Sequence, residues 1–130
     1  MSKKKSKAIV KSVTGVSNFK TGYKDIAEMK FDGATIDVKR RDAEWIEEYK
    51  KLLEIKDEES RETACTLHYA SLIQGWGEFV YKGLEVPFNH DNVKVLINTV
   101  RFKNAFITFT DNNENWATEE ELDFNFDLSN

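Results

Sequence analysis

Cysteine and proline are scarce in this chain, and each scarcity excludes a class of protein. Cys65 is the only cysteine among 130 residues, so no internal disulfide framework and no thiolate zinc site can be built. A single proline, Pro87, and six glycines argue against a collagenous or loop-dominated chain. No run of about 18 apolar residues occurs, which excludes a membrane-spanning helix. The opening MSKKKSK has no apolar stretch behind it and does not read as a secretory signal, so a reducing cytosol is the expected compartment. What is present is 40% hydrophobic, 12% aromatic and 32% charged residues, the composition of a folded domain with a charged surface. A chain of this length buries roughly two-thirds of its unfolded surface, enough for a core without staples.

The net charge of -4 conceals an asymmetry. Lys3, Lys4, Lys5, Lys7 and Lys11 make the head basic, whereas Glu119, Glu120, Glu121, Asp123 and Asp127 make the end acidic. Charge blocks of this kind are usually solvated. Residues 1–22, with the run Ala8-Ile9-Val10 as at most one weak strand, therefore read as a basic flexible segment. Residues 118–130 read as an acidic tail, leaving one α+β domain over 23–117. With no basic stripe inside that domain, nucleic acid is not an expected partner.

Within the domain, AEMKFDGATIDVKR (27–40) carries the strongest local signal. Asp32-Gly33 suits a type I′ turn, which needs positive φ at both central residues. The turn sets Phe31 opposite Ala34, Met29 opposite Ile36 and Ala27 opposite Val38, all six on one face. Asp42 then caps a helix whose stripe is Trp45, Ile46, Tyr49, Leu52 and Leu53. A second helix is expected from about Glu59 to Gln74, with Ala64, Cys65, His68, Tyr69, Leu72, Ile73 and Trp76 on one face. Gly75 and Gly77 would end it. Residues 78–85 form a connector with a turn at Lys82-Gly83. Asn89 caps a third helix through Val93, Leu96, Ile97 and Val100. Residues 101–110 pair helical spacing of Phe102, Ala105, Phe106 and Phe109 with β-prone composition, and helix is the preferred reading. The expected fold is thus an N-terminal β-hairpin followed by a bundle of three to four α-helices, with flexible termini.

A search for chemistry yields little. His68, on the apolar face of the second helix, reads as a satisfied boundary histidine, and His90 as an exposed first-turn residue. Cys65 reads as a small apolar group with no base to activate it. Gly75-Trp76-Gly77 lacks the lysine, hydroxyl residue and third glycine of phosphate-binding loops, and reads as a helix stop with Trp76 plugging the core. No catalytic residue, cofactor site or metal site emerges. Nine Phe, three Trp and four Tyr, by contrast, exceed the needs of a small core, and several fall in connectors. They either cap that core or form a protein contact, and the contact reading selects Trp76, Phe79, Tyr81, Phe88 and Trp116. The tail pattern LDFNF (122–126) could add to a partner's sheet edge or stay solvated.

The stretch from Leu72 to Trp116 resembles the tail assembly chaperones of long-tailed bacteriophages. Leu72-Ile73-Gln74-Gly75-Trp76-Gly77 matches that family's aliphatic-Gly-Trp helix end. A glycine-bearing connector follows, then Val86-Pro87-Phe88-Asn89-His90-Asp91-Asn92, Leu96-Ile97, Arg101-Phe102 and Ala105-Phe106-Ile107. The hairpin FDGATIDVKR and the Lys- and Glu-rich helix at 43–55 extend the likeness over residues 25–116. Asn89 stands where Ser or Thr is usual, and Asp91 replaces Glu; both keep the capping physics. The resemblance implies a non-catalytic phage protein of the host bacterial cytoplasm, absent from the mature virion. Its partners would be the tape measure protein, which it keeps soluble, and the tail tube protein, with self-association into a homo-oligomer left open. The alternatives are a structural tail or connector component of the virion and a small acidic inhibitor of a host protein.

Overall fold

The computed structural model describes residues 19–120, with side chains over 22–118. Its elements run β1 (Phe19–Tyr23), β2 (Ile26–Phe31), β3 (Ala34–Lys39), α1 (Ala43–Leu52), α2 (Glu58–Ala70), β4 (Ile73–Gly77), β5 (Val80–Tyr81), β6 (Leu84–Glu85), α3 (His90–Ile97), α4 (Val100–Asp111), a 3-10 turn (Asn113–Trp116) and β7 (Ala117–Glu120). The class is α+β: a hairpin-based sheet followed by helices. The described residues divide into two compact units, one spanning Asp25–Trp116 and the other formed by residues 19–24 and 117–120.

In the larger unit the Asp32-Gly33 turn has φ of 50° and 85°, and the hairpin closes with Phe31 on Ala34, Met29 on Ile36 and Ala27 on Val38. Ala27, Met29, Ala34, Ile36 and Val38 are buried on the inner face. Arg101 forks onto the Asp32 carboxylate and lies 4.7 Å from the centre of the Phe31 ring, tying the turn to α4.

A third strand follows the second helix, where helix was expected. Helix α2 stops at Ala70, and Ile73–Gly77 pairs antiparallel with β3. Ile73 faces Val38, Trp76 faces Ile36, and the register slips between Asp37 and Val38, leaving Gln74 as the extra residue of a β-bulge. Gly75-Trp76-Gly77 is therefore a piece of strand and not a helix stop.

Two helices begin at the caps read from the sequence, Asp42 and Asn89, and the second helix begins at a cap that was not, Asp57. Asp42 accepts from the Trp45 amide at 2.8 Å, Asp57 from Ser60 at 2.8 Å, and Asn89 from Asn92 at 2.8 Å. Along α1 only Trp45 is fully buried; Tyr49 and Leu52 are half-buried, while Ile46 and Leu53 face solvent. The third helix ends at Ile97 rather than reaching Val100. The Asn98 amide donates to the Lys94 carbonyl and the Thr99 hydroxyl to the Val95 carbonyl, closing α3 before α4 starts. Val100 consequently lies on the surface. Residues 101–110 are helical, as preferred, and Phe102 and Phe106 fill the centre of the core with Ile36, Val38, Leu72 and Ile97.

In the smaller unit β1 pairs antiparallel with β7, Phe19 facing Glu120 and Tyr23 facing Ala117. Residues 19–22 and 118–120 thus lie in a strand pair, which the reading of both ends as solvated segments did not include. Backbone pairing of this kind leaves no signal in a stretch whose side chains are mostly polar. The Ala8-Ile9-Val10 run and the LDFNF pattern lie outside the described residues.

Candidate functional site

Four of the five aromatic residues singled out from the sequence fall in one region. Trp76 sits on β4, and its ring meets Phe79 at 5.0 Å and Phe88 at 4.9 Å, both edge to face. Such pairs are the favoured geometry for aromatic rings. The indole N–H of Trp76 donates to the Val86 carbonyl at 2.8 Å, fixing the segment that returns from the hairpin. Asn92 holds the other end of that segment, donating to the Pro87 carbonyl at 2.8 Å while its own backbone amide is capped by Asn89. Pro87-Phe88-Asn89 is in this way clamped between a tryptophan and the first turn of α3, and Phe88 stays 44% exposed.

Tyr81 stands on the arm formed by β5 and β6. Lys82 and Gly83, with φ of 53° and 80°, make the two-residue turn, and Tyr81 faces Leu84 while Val80 faces Glu85. The Val86 amide donates to the Phe79 carbonyl at 2.8 Å, which carries the ladder one step towards the body. Strand alternation then sets Phe79, Tyr81, Leu84 and Val86 on one side of the arm. At the root, Phe79 and Val86 are half-buried. At the tip, Tyr81 is 64% and Leu84 74% exposed, and Val80 on the opposite side is 57% exposed. An apolar stripe therefore begins in the Trp76 cluster and runs out into solvent.

Trp116 does not belong to this surface. Its indole is fully buried, donates to the Val38 carbonyl at 2.9 Å and packs edge to face on Phe109 at 5.2 Å. It is a core residue beneath the sheet, and its place as a contact is corrected accordingly. Leu84 and Val80, conversely, were not singled out. The alternation of Phe79, Tyr81, Leu84 and Val86 around Lys82-Gly83 was the signal that could have found them.

Beside Trp76 an open depression of about 410 Å³ is lined by Glu28, Lys30, Thr35, Asp37, Gly77 and Glu78. Glu28 and Asp37 stand directly opposite each other on β2 and β3, while Lys30 donates to the Thr35 hydroxyl at 2.7 Å. The two β4 glycines facing this side, Gly75 and Gly77, leave the third strand without side chains above it.

Packing accounts for His68 and Tyr69. His68 and Trp45 are tied in both directions: the Trp45 indole donates to the His68 carbonyl at 3.0 Å, and His68 Nε2 donates to the Trp45 carbonyl at 2.8 Å. Their rings stack at 4.3 Å. Tyr69 lies edge-on to Trp45 at 5.0 Å, and burial pushes its hydroxyl pKa up. Cys65 is half-buried within α2 and His90 is exposed at the start of α3. A polar cleft of about 380 Å³ between α2 and the α3–α4 corner is lined by Glu59, Glu62, Lys94 and Lys103, with no histidine or cysteine. Among the described residues no group of three or more His, Cys, Asp or Glu is arranged to hold a metal ion, and no helix is long and apolar enough to cross a membrane.

No family model, curated protein or solved structure matches the chain.

Proposed function

We propose that this protein is a non-catalytic tail assembly chaperone of a long-tailed bacteriophage. It covers the tape measure protein, keeps that long helical chain soluble in the host bacterial cytoplasm and helps bring tail tube subunits to it. The observation that carries the reading is the apolar stripe from Trp76 through Phe79 to Tyr81 and Leu84, which is folded, fixed by hydrogen bonds at its root and bare at its tip. An amphipathic helix laid in such a surface is a familiar mode of peptide recognition. The motifs at 72–77 and 86–92, which carry the resemblance to these chaperones, are the segments that shape the stripe. A weak contact repeated along one tape measure chain gains avidity from copy number, yet each copy remains displaceable by a tube subunit. The net charge of -4 favours solubility of the loaded assembly.

The test is aggregation of purified tape measure protein on dilution from denaturant, followed by light scattering with and without a molar excess of this protein. Suppressed scattering is expected; an unchanged trace refutes the reading. Mass spectrometry of purified particles should not find the chain, and its presence in stoichiometric amount would make it a virion component instead.

A further inference from the structure

We propose that two copies of this chain join edge to edge through β2, each adding its strand to the other's sheet. Strand β2 is an outer strand in the order β2-β3-β4, while β4, which leads into the arm, holds the opposite edge. The two-residue turn at Asp32-Gly33 makes Phe31 and Ala34 the closing hydrogen-bonded pair. Antiparallel pairing then turns the backbone groups of Ala27, Met29 and Phe31 towards β3, and those of Ile26, Glu28 and Lys30 outward. Among the described residues no backbone hydrogen bond reaches that outward row. Such an edge is a template for another strand, and neither a proline nor a bulge interrupts it. Between β2 and α4, an open groove of about 570 Å³ runs by the same strand, lined by Met29, Ala105, Thr108 and Phe109 among others.

The charges on β2 pick a second copy of the same strand as the occupant. The side chains of Ile26, Glu28 and Lys30 share the outer face of the sheet. Within the chain Glu28 stands opposite Asp37, a pairing of like charges, and among the described residues neither carboxylate forms an ion pair. Lys30 stands opposite Thr35 and donates to its hydroxyl at 2.7 Å, which leaves further ammonium protons to give. Two antiparallel registers match the outward backbone groups of one β2 with those of another. In the first, Glu28 meets Glu28 of the second copy, and the row across the joined sheet reads Asp37, Glu28, Glu28, Asp37. That row is carboxylate throughout. In the other, shifted by two residues, each Glu28 meets Lys30 of the second copy, and the row reads Asp37, Glu28, Lys30, Thr35. Cross-strand charge therefore selects the second register. Its two-fold axis passes between the two Met29 residues, which become neighbours on the inner face, each reaching over the groove of the other copy. The joint uses no residue of the arm and does not depend on the chaperone reading.

Sedimentation velocity of the full chain, from low to high micromolar concentration, tests this. The wild-type chain should pass from monomer to dimer as concentration rises. Glu28→Lys alone sets lysine against lysine across the joint, and Lys30→Glu alone sets glutamate against glutamate. Each should weaken dimerisation about tenfold. Mixed in equal amounts, the two variants should form a heterodimer of wild-type strength, because every cross-strand pair is then opposite in sign. The exchanged chain, Glu28→Lys with Lys30→Glu, should dimerise like the wild type. Circular dichroism should be the same for all of them, since both side chains are exposed. Tyr81→Ser/Leu84→Ser, on the arm, should leave dimerisation unchanged. A chain that stays monomeric throughout the range overturns the inference. So does a dimer indifferent to either single variant, a mixture no tighter than each variant alone, or a dimer lost with the arm variant.

Discussion

Individual aromatic residues divide between core and surface in a way that spacing alone does not reveal. Trp116 and Trp76 both donate an indole N–H to a backbone carbonyl, and both were candidates for a partner contact. Trp116 is sealed beneath the sheet by the 3-10 turn, whereas Trp76 keeps an open edge beside the glycine-floored depression. Their substitutions should separate cleanly. Trp116→Ala removes a fully buried ring and its hydrogen bond to the Val38 carbonyl, and should cost about 3–5 kcal/mol in urea unfolding. Leu84→Ala, at an exposed arm position, should leave stability within about 0.5 kcal/mol of the parent. The sequence could not distinguish these cases, because burial of a tryptophan depends on which elements close over it.

At the scale of elements, hairpin and caps were legible because turn chemistry and side-chain capping are local. Asp32-Gly33 dictated the register of β2 and β3, and Asp42 and Asn89 each accept the amide expected of a cap. Strand β4 was not legible, for a specific reason. The bulge at Gln74 puts Ile73 and Trp76 on the same face three residues apart, a spacing that imitates a helix turn. The α3–α4 break escaped notice because Asn98 and Thr99 end α3 through side-chain bonds to its own carbonyls, without glycine or proline. Two predictions belong here. The Asp42 carboxyl is held below its ordinary value by the Trp45 amide and then Lys39, and that of Asp57 by the Ser60 hydroxyl and amide. Their contribution is therefore complete above the ordinary value of 3.8 and is lost as pH falls through the lowered folded values. Asp42→Asn with Asp57→Asn keeps both caps without the titration, so this variant should lose less stability than the parent between about pH 5 and about pH 2 in an acid titration followed by circular dichroism. Gly83→Val forces a branched residue to φ near 80°, at a cost of about 1–2 kcal/mol. Amide exchange should quicken at Val86 and along the arm, with the β2–β3 amides unaffected.

For the molecule as a whole, the α+β class followed from one hairpin and a set of helical periods. The order of the sheet did not, since β4 joins it only after two helices have intervened. The candidate surface was half legible: aromatic residues in connectors pointed to the region, and the structure adds the arm that gives it shape. The central claim is that this surface shields an apolar chain for a time and makes no covalent change to it. Co-expression of tape measure protein with this chain or with its Tyr81→Ser/Leu84→Ser variant, scored as the fraction of tape measure protein in the soluble lysate, tests that claim most directly. The account predicts a soluble tape measure protein with the wild-type chain and an insoluble one with the variant or alone; a tape measure protein that stays insoluble beside an excess of folded wild-type chain would contradict it.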